Sequence, residues 1–293
     1  MASPGPGWRL VGMTTSTTST PITTESARTR LEDGVAASTP PGDNLLADFV
    51  RAEAAAYRSL AVAAGGRAEV DDELGLSMGD SGSPCFFGNV AHVARPLDGP
   101  AAAEAVRRIR SFYADASGGP FLVFTPWSIG DRGADDFTLA GHPPLMVRPA
   151  GGQVPTIDGV RIERATTAGQ VATFDRTITE AYPAEALLPF GSQPPMFTPA
   201  ILDTPWRCFV GSLDDRPVAT AAAFVTDEVV VVEAVSTRPE CRGRGIGAAV
   251  TAAAMLADPT RPSALLSSDG GHSVYAGLGY LTVMRLTLWI GMR

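Results

Sequence analysis

The chain has 293 residues, 45% of them apolar, which fits a globular protein with a sizeable buried core in one large or two modest domains. Its formal net charge is −8, and all 23 basic residues are arginine. Proteins that bind nucleic acid need a clustered basic surface to neutralise phosphates, so we expect no nucleic-acid partner.

The cysteines and apolar runs exclude further classes. Cys85, Cys208 and Cys241 are odd in number and show no metal-ligand spacing, so we predict neither a disulfide framework nor a metal site. No apolar run approaches the roughly 18 residues that span a bilayer, so no membrane partner is expected. These features favour a cytoplasmic protein.

The first 41 residues are too rich in Ser, Thr, Pro and Gly to form a packed core. We interpret residues 1–41 as a disordered leader, with a transit peptide as the weaker alternative.

The next segment, residues 43–150, shows the pattern of a mixed α/β unit. Apolar residues at helical spacing predict a helix from about Asp43 to Ala64. Further predicted elements follow in chain order: a strand-like run at 85–93, a helix at 100–114, and short strands at 121–124 and 145–147. A Pro/Gly-rich linker at 149–155 marks a domain boundary.

The stretch GDSGSP, from Gly79 to Pro84, is close to the sequence around the nucleophile of chymotrypsin-like serine proteases. In those proteases the His and Asp of the triad precede the Ser in the chain. Here all three histidines follow Ser81. The stretch is therefore interpreted as a turn rather than a protease site.

The second unit, residues 156–293, has a sharper pattern. A helix is predicted at 168–182, followed by strands at 207–212 and 218–225 that form an antiparallel hairpin. The β-branched run at 229–235 predicts a strand covered on both faces.

A glycine-rich loop and a helix at 248–256 follow that strand. Glycines let a ligand approach the backbone, and the free N–H groups and dipole at a helix start favour an anion. Arg242 and Arg244 add positive charge, which suits a pyrophosphate. The loop also satisfies the loosest form of the dinucleotide fingerprint, but seven residues separate the apolar strand from the glycines, which weakens that alternative.

The segment from Val235 to Gly247 resembles motif A of the GNAT superfamily of N-acetyltransferases, whose Q/R-x-x-G-x-G/A pattern falls on Arg242, Gly245 and Gly247. The resemblance covers about residue 160 to the carboxyl terminus and includes the stretch from Ser273 to Tyr280, followed by a final hairpin of strands. It implies a GNAT-like mixed central sheet flanked by helices, and acetyl-CoA as co-substrate. The residues implied to bind it are Val235, Ser236, Thr237, Arg242, Gly243, Arg244, Gly245, Ile246, Gly247 and Ala248.

Catalytic candidates follow from the same resemblance and from local chemistry. Tyr275 stands where the family places a proton donor to the leaving thiolate, and a tyrosine stays protonated at neutral pH. Glu233 interrupts an apolar strand, so its carboxylate either faces the substrate cleft, where it is the candidate base, or meets an arginine. Ser267, Ser268 and Asp269 line the acceptor side or cap the next helix, and we favour capping.

The segment 43–150 shows a similar strand, helix, strand order, and Gly141 to Val147 resembles the end of a GNAT half-domain, but it has no glycine loop of its own. We therefore expect a tandem in which the first unit is a degenerate GNAT-like partner. The expected function is transfer of an acetyl group to a primary amine, on a small molecule or a protein, by direct attack in a ternary complex. The alternatives are a non-catalytic CoA-binding sensor or interaction protein and a nicotinamide-dependent oxidoreductase. Oligomeric state is not predicted.

Overall fold

The computed structural model describes residues 45–114, 118–130, 136–182 and 185–293. The predicted leader at 1–41 lies outside the described residues. The five helices of these ranges are α1 Leu45–Ala63, α2 Gly99–Ala114, α3 Ala168–Ala181, α4 Ile246–Met255 and α5 His272–Gly277. None of these described helices has the length and apolarity needed to cross a bilayer.

The strands of the first part of the chain are β1 Arg67–Asp71, β2 Leu76–Asp80, β3 Asn89–Val93, β4 Phe121–Thr125, β5 Phe137–Gly141 and β6 Pro144–Arg148. Those of the second part are β7 Val160–Arg164, β8 Trp206–Leu213, β9 Arg216–Val225, β10 Val230–Thr237, β11 Ser263–Leu266, β12 Leu281–Arg285 and β13 Thr287–Gly291.

Two mixed sheets organise the molecule. The first has the order β1-β2-β3-β4-β13-β5, and the second has the order β7-β8-β9-β10-β11-β6-β12. In each sheet three successive antiparallel strands lead through a helix to a parallel fourth, β3 to β4 in the first and β10 to β11 in the second. This repeat confirms the predicted tandem arrangement of mixed sheets flanked by helices.

The two sheets exchange a strand. β6 lies in the second sheet between β11 and β12, and β13 lies in the first sheet between β4 and β5. The predicted final hairpin is therefore wrong, because β12 and β13 pair in different sheets rather than with each other. The predicted boundary at 149–155 does not separate the two sheets. The second sheet contains β6 from before this segment, and the first sheet contains β13 from after it.

Local sequence explains several of the predicted elements. Thr167 and Gln170 form a capping box at the start of α3, so both orphan N–H groups are satisfied reciprocally. Asp214 and Asp215 both have positive φ, at 49° and 64°, in the tight turn that joins β8 to β9. The run at 85–93 is only partly a strand, because Phe86–Gly88 forms a 3₁₀ turn before β3.

A hydrophobic core lies between the two sheets and contains residues of both units. It joins side chains of α1, such as Phe49 and Leu60, to side chains of α3 and β9, such as Phe174 and Phe224. Separate clusters cover the outer faces, with α2 on the first sheet and α4 on the second. The shared core and the exchanged strands bring the inner face of α1 next to β10.

Candidate active site

Strand β10 is bulged and diverges from its parallel neighbour. It pairs with β11 only at Val230 with Ser263 and at Val231 with Ala264. Its register with β9 shifts between Glu233 and Ser236, and Ala234 has a positive φ of 54°. A bulge of this kind bends a strand and interrupts its ladder. Within the described part of the chain, the last residues of β10 therefore have no strand beside them on the β11 side.

The glycine-rich loop connects this strand to α4. Gly243 and Gly245 have φ values of 73° and 76°, in the left-handed region that glycine adopts without penalty. Gly247 lies so close to β10 that a Cβ there would approach the Thr237 hydroxyl oxygen to 3.0 Å. The N–H groups of Ile246, Gly247 and Ala248 open the helix and have no helical acceptor, as at any helix start. The arrangement is a cradle for an anion.

The two arginines of the loop differ in their surroundings. The Arg242 Nε donates to the Thr237 carbonyl at 3.0 Å, and its Nη2 lies 3.5 Å from the Ala181 carbonyl. Arg242 thus braces the loop against β10 and the end of α3. Arg244 is exposed at the surface. The Ser236 hydroxyl is buried and lies 2.7 Å from the Thr220 hydroxyl, so only its backbone can serve a ligand beside β10.

A cavity of about 590 Å³ opens in the gap beside β10. Its lining includes Glu233, Ala234 and Val235 of β10, and Leu266 and the residues that follow β11. The two units share it, since side chains of α1, β4 and the segment 141–143 complete its wall. The glycine loop lies beyond it, past the end of the same strand.

Glu233 lines this cavity, and none of the described arginines forms an ion pair with it. Its Oε2 accepts a hydrogen bond from the Tyr57 hydroxyl at 3.1 Å. Burial and, to a smaller extent, the nearby Glu53 carboxyl together raise the pKa of Glu233 to about 8. The hydrogen bond from Tyr57 acts in the opposite direction and is included in this value. A carboxyl group with this pKa is poised to accept a proton near neutral pH.

Tyr275 lines the same cavity from α5. Its ring packs in the core beside Tyr280, with ring centroids 6.2 Å apart, and it is 8% exposed. Burial raises its pKa above the ordinary value, and the charge of Glu233 adds to the effect. The side chain therefore stays protonated at neutral pH, as a proton donor must. Tyr280 is a core residue, and its hydroxyl accepts a hydrogen bond from the Ser263 hydroxyl at 2.8 Å.

The residues that follow β11 combine two roles. Ser267, Ser268 and Asp269 all line the cavity. The Ser268 Oγ also accepts from the Gly271 N–H at 3.2 Å, in the turn that precedes α5, whereas the N-cap residue Gly271 has no side chain that caps the helix. His272 lies outside the cavity lining, and its Nε2 contacts the Thr282 hydroxyl at 3.0 Å.

Two polar residues of α1 that line the cavity were not predicted from the sequence. Glu53 and Tyr57 lie one turn apart on α1 and line the cavity next to Glu233. The only local signal was a glutamate on the apolar face of an alanine-rich helix, where an unpaired charge is costly. No sequence pattern links that helix to β10.

The described residues of the first unit form no equivalent of the anion cradle. The helix that corresponds to α4 is α2, and the Asp98 side chain accepts from the Ala101 N–H at its start, at 3.3 Å. A carboxylate at this position satisfies the helix terminus and repels an anion. The absence of a glycine loop in this unit thus has a matching structural cause.

Comparison with protein families gives one match, which lies within the second unit. Residues 175–257, from within α3 to just beyond α4, match the acetyltransferase (GNAT) family. No curated protein matches the chain.

Solved structures show the fold over a larger part of the chain. A GCN5-related N-acetyltransferase from Kribbella flavida is 21% identical with a TM-score of 0.59, over 85% of this chain and 96% of that one. A protein of unknown function from Staphylococcus epidermidis is 15% identical with a TM-score of 0.54, over 72% and 87% of the respective chains. A GCN5-related N-acetyltransferase from Sphaerobacter thermophilus is 14% identical with a TM-score of 0.50, over 85% and 94%. These structures show the fold alone, and the GNAT family match covers the segment 175–257, which contains the bulged strand and the glycine loop.

Proposed function

We propose that the protein transfers an acetyl group from acetyl-CoA to the nitrogen of a primary amine, by direct attack within a ternary complex. The observation that carries the proposal is the free side of β10, which leads directly into the glycine cradle at the start of α4. An extended amide-containing chain can pair with the free strand while its pyrophosphate binds the helix N-terminus.

The residues present fit this co-substrate. The N–H groups of Ile246, Gly247 and Ala248 suit the phosphates, and the backbone from Val235 to Thr237 suits the amide-containing arm. Acetyl-CoA supplies the activated acyl group and a thiol leaving group of pKa near 8.5.

The catalytic roles follow from the cavity. Glu233, as carboxylate, takes a proton from the ammonium form of the acceptor, so that the nitrogen lone pair attacks the thioester carbonyl as the C–S bond breaks. Tyr275 gives its proton to the departing thiolate. The two side chains line one cavity, and no covalent enzyme intermediate is needed.

The test combines binding with turnover. Calorimetric titration with acetyl-CoA is compared among wild type, Glu233→Gln and Tyr275→Phe, with Glu228→Gln as the surface control. A panel of primary amines is then screened for acetylated product by mass spectrometry. We expect all four proteins to bind acetyl-CoA and the two active-site variants to lose roughly 10²-fold or more in turnover.

Other outcomes discriminate between the functions. Binding of acetyl-CoA without turnover of any amine by wild type favours a CoA-binding module. Binding of NADH without acetyl-CoA favours the oxidoreductase. Failure of the folded wild-type protein to bind acetyl-CoA overturns the acyltransferase proposal.

A further inference from the structure

A second buried carboxyl group lies in the cavity, and the proposed chemistry does not use it. Glu53 is 1% exposed and lines the cavity from α1. Its Oε2 lies 3.2 Å from the His92 Nε2, whereas its Oε1 has no hydrogen-bond partner among the described residues. A buried carboxylate oxygen without a partner is costly to the folded protein, so it requires an explanation.

Glu53 and Glu233 form one acidic site across the two units. Tyr57 follows Glu53 by one helical turn, so both side chains leave the same face of α1. The Tyr57 hydroxyl donates to Glu233 at 3.1 Å, and the Glu53 carboxyl adds to the effect of burial in raising the pKa of Glu233. Two carboxyl groups that line one cavity, one of them with a free oxygen, can bind a cation.

His92 does not supply that cation. Burial lowers the pKa of His92 to about 3, with a further contribution from the nearby Arg58, so the ring is neutral at physiological pH. Arg285, the arginine of the cavity lining, donates to the His142 carbonyl on the segment after β5. When the two glutamates ionise, the positive charge that balances their carboxylates is therefore expected from a ligand.

The walls around this acidic site are apolar and aromatic. Phe124 and the His92 ring stack at 5.6 Å, and Tyr57 packs against both. The Phe, Tyr and Trp side chains of the cavity lining come from both units: Tyr57, Phe87, Phe124, Tyr182, Phe197, Trp206 and Tyr275. Such walls stabilise an apolar body and also favour a cationic group over a ring face.

We propose that the acceptor is a primary amine with an apolar or aromatic body, and that Glu53 binds its ammonium group beside Glu233. This inference rests on the proposed function and extends it by naming the acceptor class and a binding residue from the first unit. The ammonium group donates a hydrogen bond to the free Oε1 of Glu53. Glu233 then receives the proton whose loss makes the nitrogen nucleophilic. The first unit thus contributes half of the acceptor site.

The test measures amine binding directly. 2-Phenylethylamine, its neutral isostere 2-phenylethanol and the polar amine ethanolamine are titrated calorimetrically into the protein saturated with CoA. Wild type should bind 2-phenylethylamine roughly 10-fold or more tightly than either of the others. Equal or tighter binding of 2-phenylethanol overturns the cation site, and equal or tighter binding of ethanolamine overturns the apolar acceptor class. Failure of 2-phenylethylamine to bind at all also overturns the proposal.

The variant Glu53→Gln keeps the side-chain volume and the contact with His92, and Glu73→Gln is the exposed control from the same unit. Glu53→Gln should weaken 2-phenylethylamine binding roughly 10-fold or more and leave the affinities for 2-phenylethanol and acetyl-CoA unchanged. An unchanged amine affinity overturns the role of Glu53. Failure of folded wild type to bind acetyl-CoA would instead overturn the proposed function. Failure of the acceptor-site proposal is therefore distinguishable from failure of the proposed function. The isostere comparison in wild type does not depend on how the variant folds.

Discussion

At the scale of single residues, Glu53 and Glu233 dominate the electrostatics of the cavity. Burial raises the pKa of each to about 8. Tyr57 and Tyr182, which face the same cavity, also have raised pKa values and stay neutral near physiological pH. Charge in this region thus depends on pH mainly through Glu53 and Glu233.

The first prediction concerns activity. Because Glu233 accepts a proton only as carboxylate, kcat/KM for the amine should rise as pH is raised through about 8. The Glu233→Gln variant should lose this limb, and Glu228→Gln should keep it. A steady-state profile of each protein between about pH 6 and 10 makes the comparison. If Glu233→Gln retains the limb, the titrating group is the amine itself.

The second prediction concerns stability. The folded pKa of both glutamates lies above the ordinary value of 4.5, so their contribution to stability is full below pH 4.5 and is lost as pH rises to about 8. His92 has a lowered folded pKa and an ordinary value of 6.5, so it stays mostly neutral in both states above that pH. Denaturant midpoints of wild type should therefore fall between about pH 6.5 and 8.

The double variant Glu53→Gln/Glu233→Gln serves as the comparison, because an amide does not titrate. Its midpoint should change less over the same pH interval than that of wild type. Parallel curves for the two proteins would show that these carboxyl groups ionise without burial cost.

At the scale of elements, the close approach of α4 to β10 shapes the anion cradle. The third prediction is that Gly247→Val weakens acetyl-CoA binding by roughly 10-fold or more, because the new side chain meets Thr237 and covers the free N–H groups. Ala253→Val is the matched control, since it places the same β-branched residue in the same helix away from its start. Calorimetry should show normal binding by the control. Equal weakening in both variants would attribute the effect to helix stability.

At the scale of the whole molecule, strand exchange makes each sheet depend on the other unit. Trp289 of β13 is 7% exposed and packs in the core of the first sheet with α2. The fourth prediction is that Trp289→Ala lowers the free energy of unfolding by about 3–5 kcal/mol. Leu281→Ala, at a position 67% exposed on β12, should change it by less than about 0.5 kcal/mol.

Hydrogen exchange gives the location of the effect. Trp289 lies near the carboxyl terminus, yet its replacement should raise exchange first in β4 and β5, which flank β13. A rise confined to β12 and the second sheet would contradict the exchanged arrangement.

The sequence by itself determined the local features. Helical periodicity predicted α1, α2 and α3, turn residues predicted the β8–β9 hairpin, and glycines before an apolar helix predicted the anion cradle. These features depend on neighbours in the chain, so their signals are local. The β1–β2 hairpin and β5 were not predicted, and their strands are short.

Only the tertiary structure decided which strands pair and which side chains meet. β6, β12 and β13 are short strands of similar character, and nothing local specifies the sheet that each joins. Glu53 lies 180 residues before Glu233, and its role in the cavity depends on α1 packing against β10. Contacts between distant segments depend on the packing of the whole core, which no short stretch of sequence records.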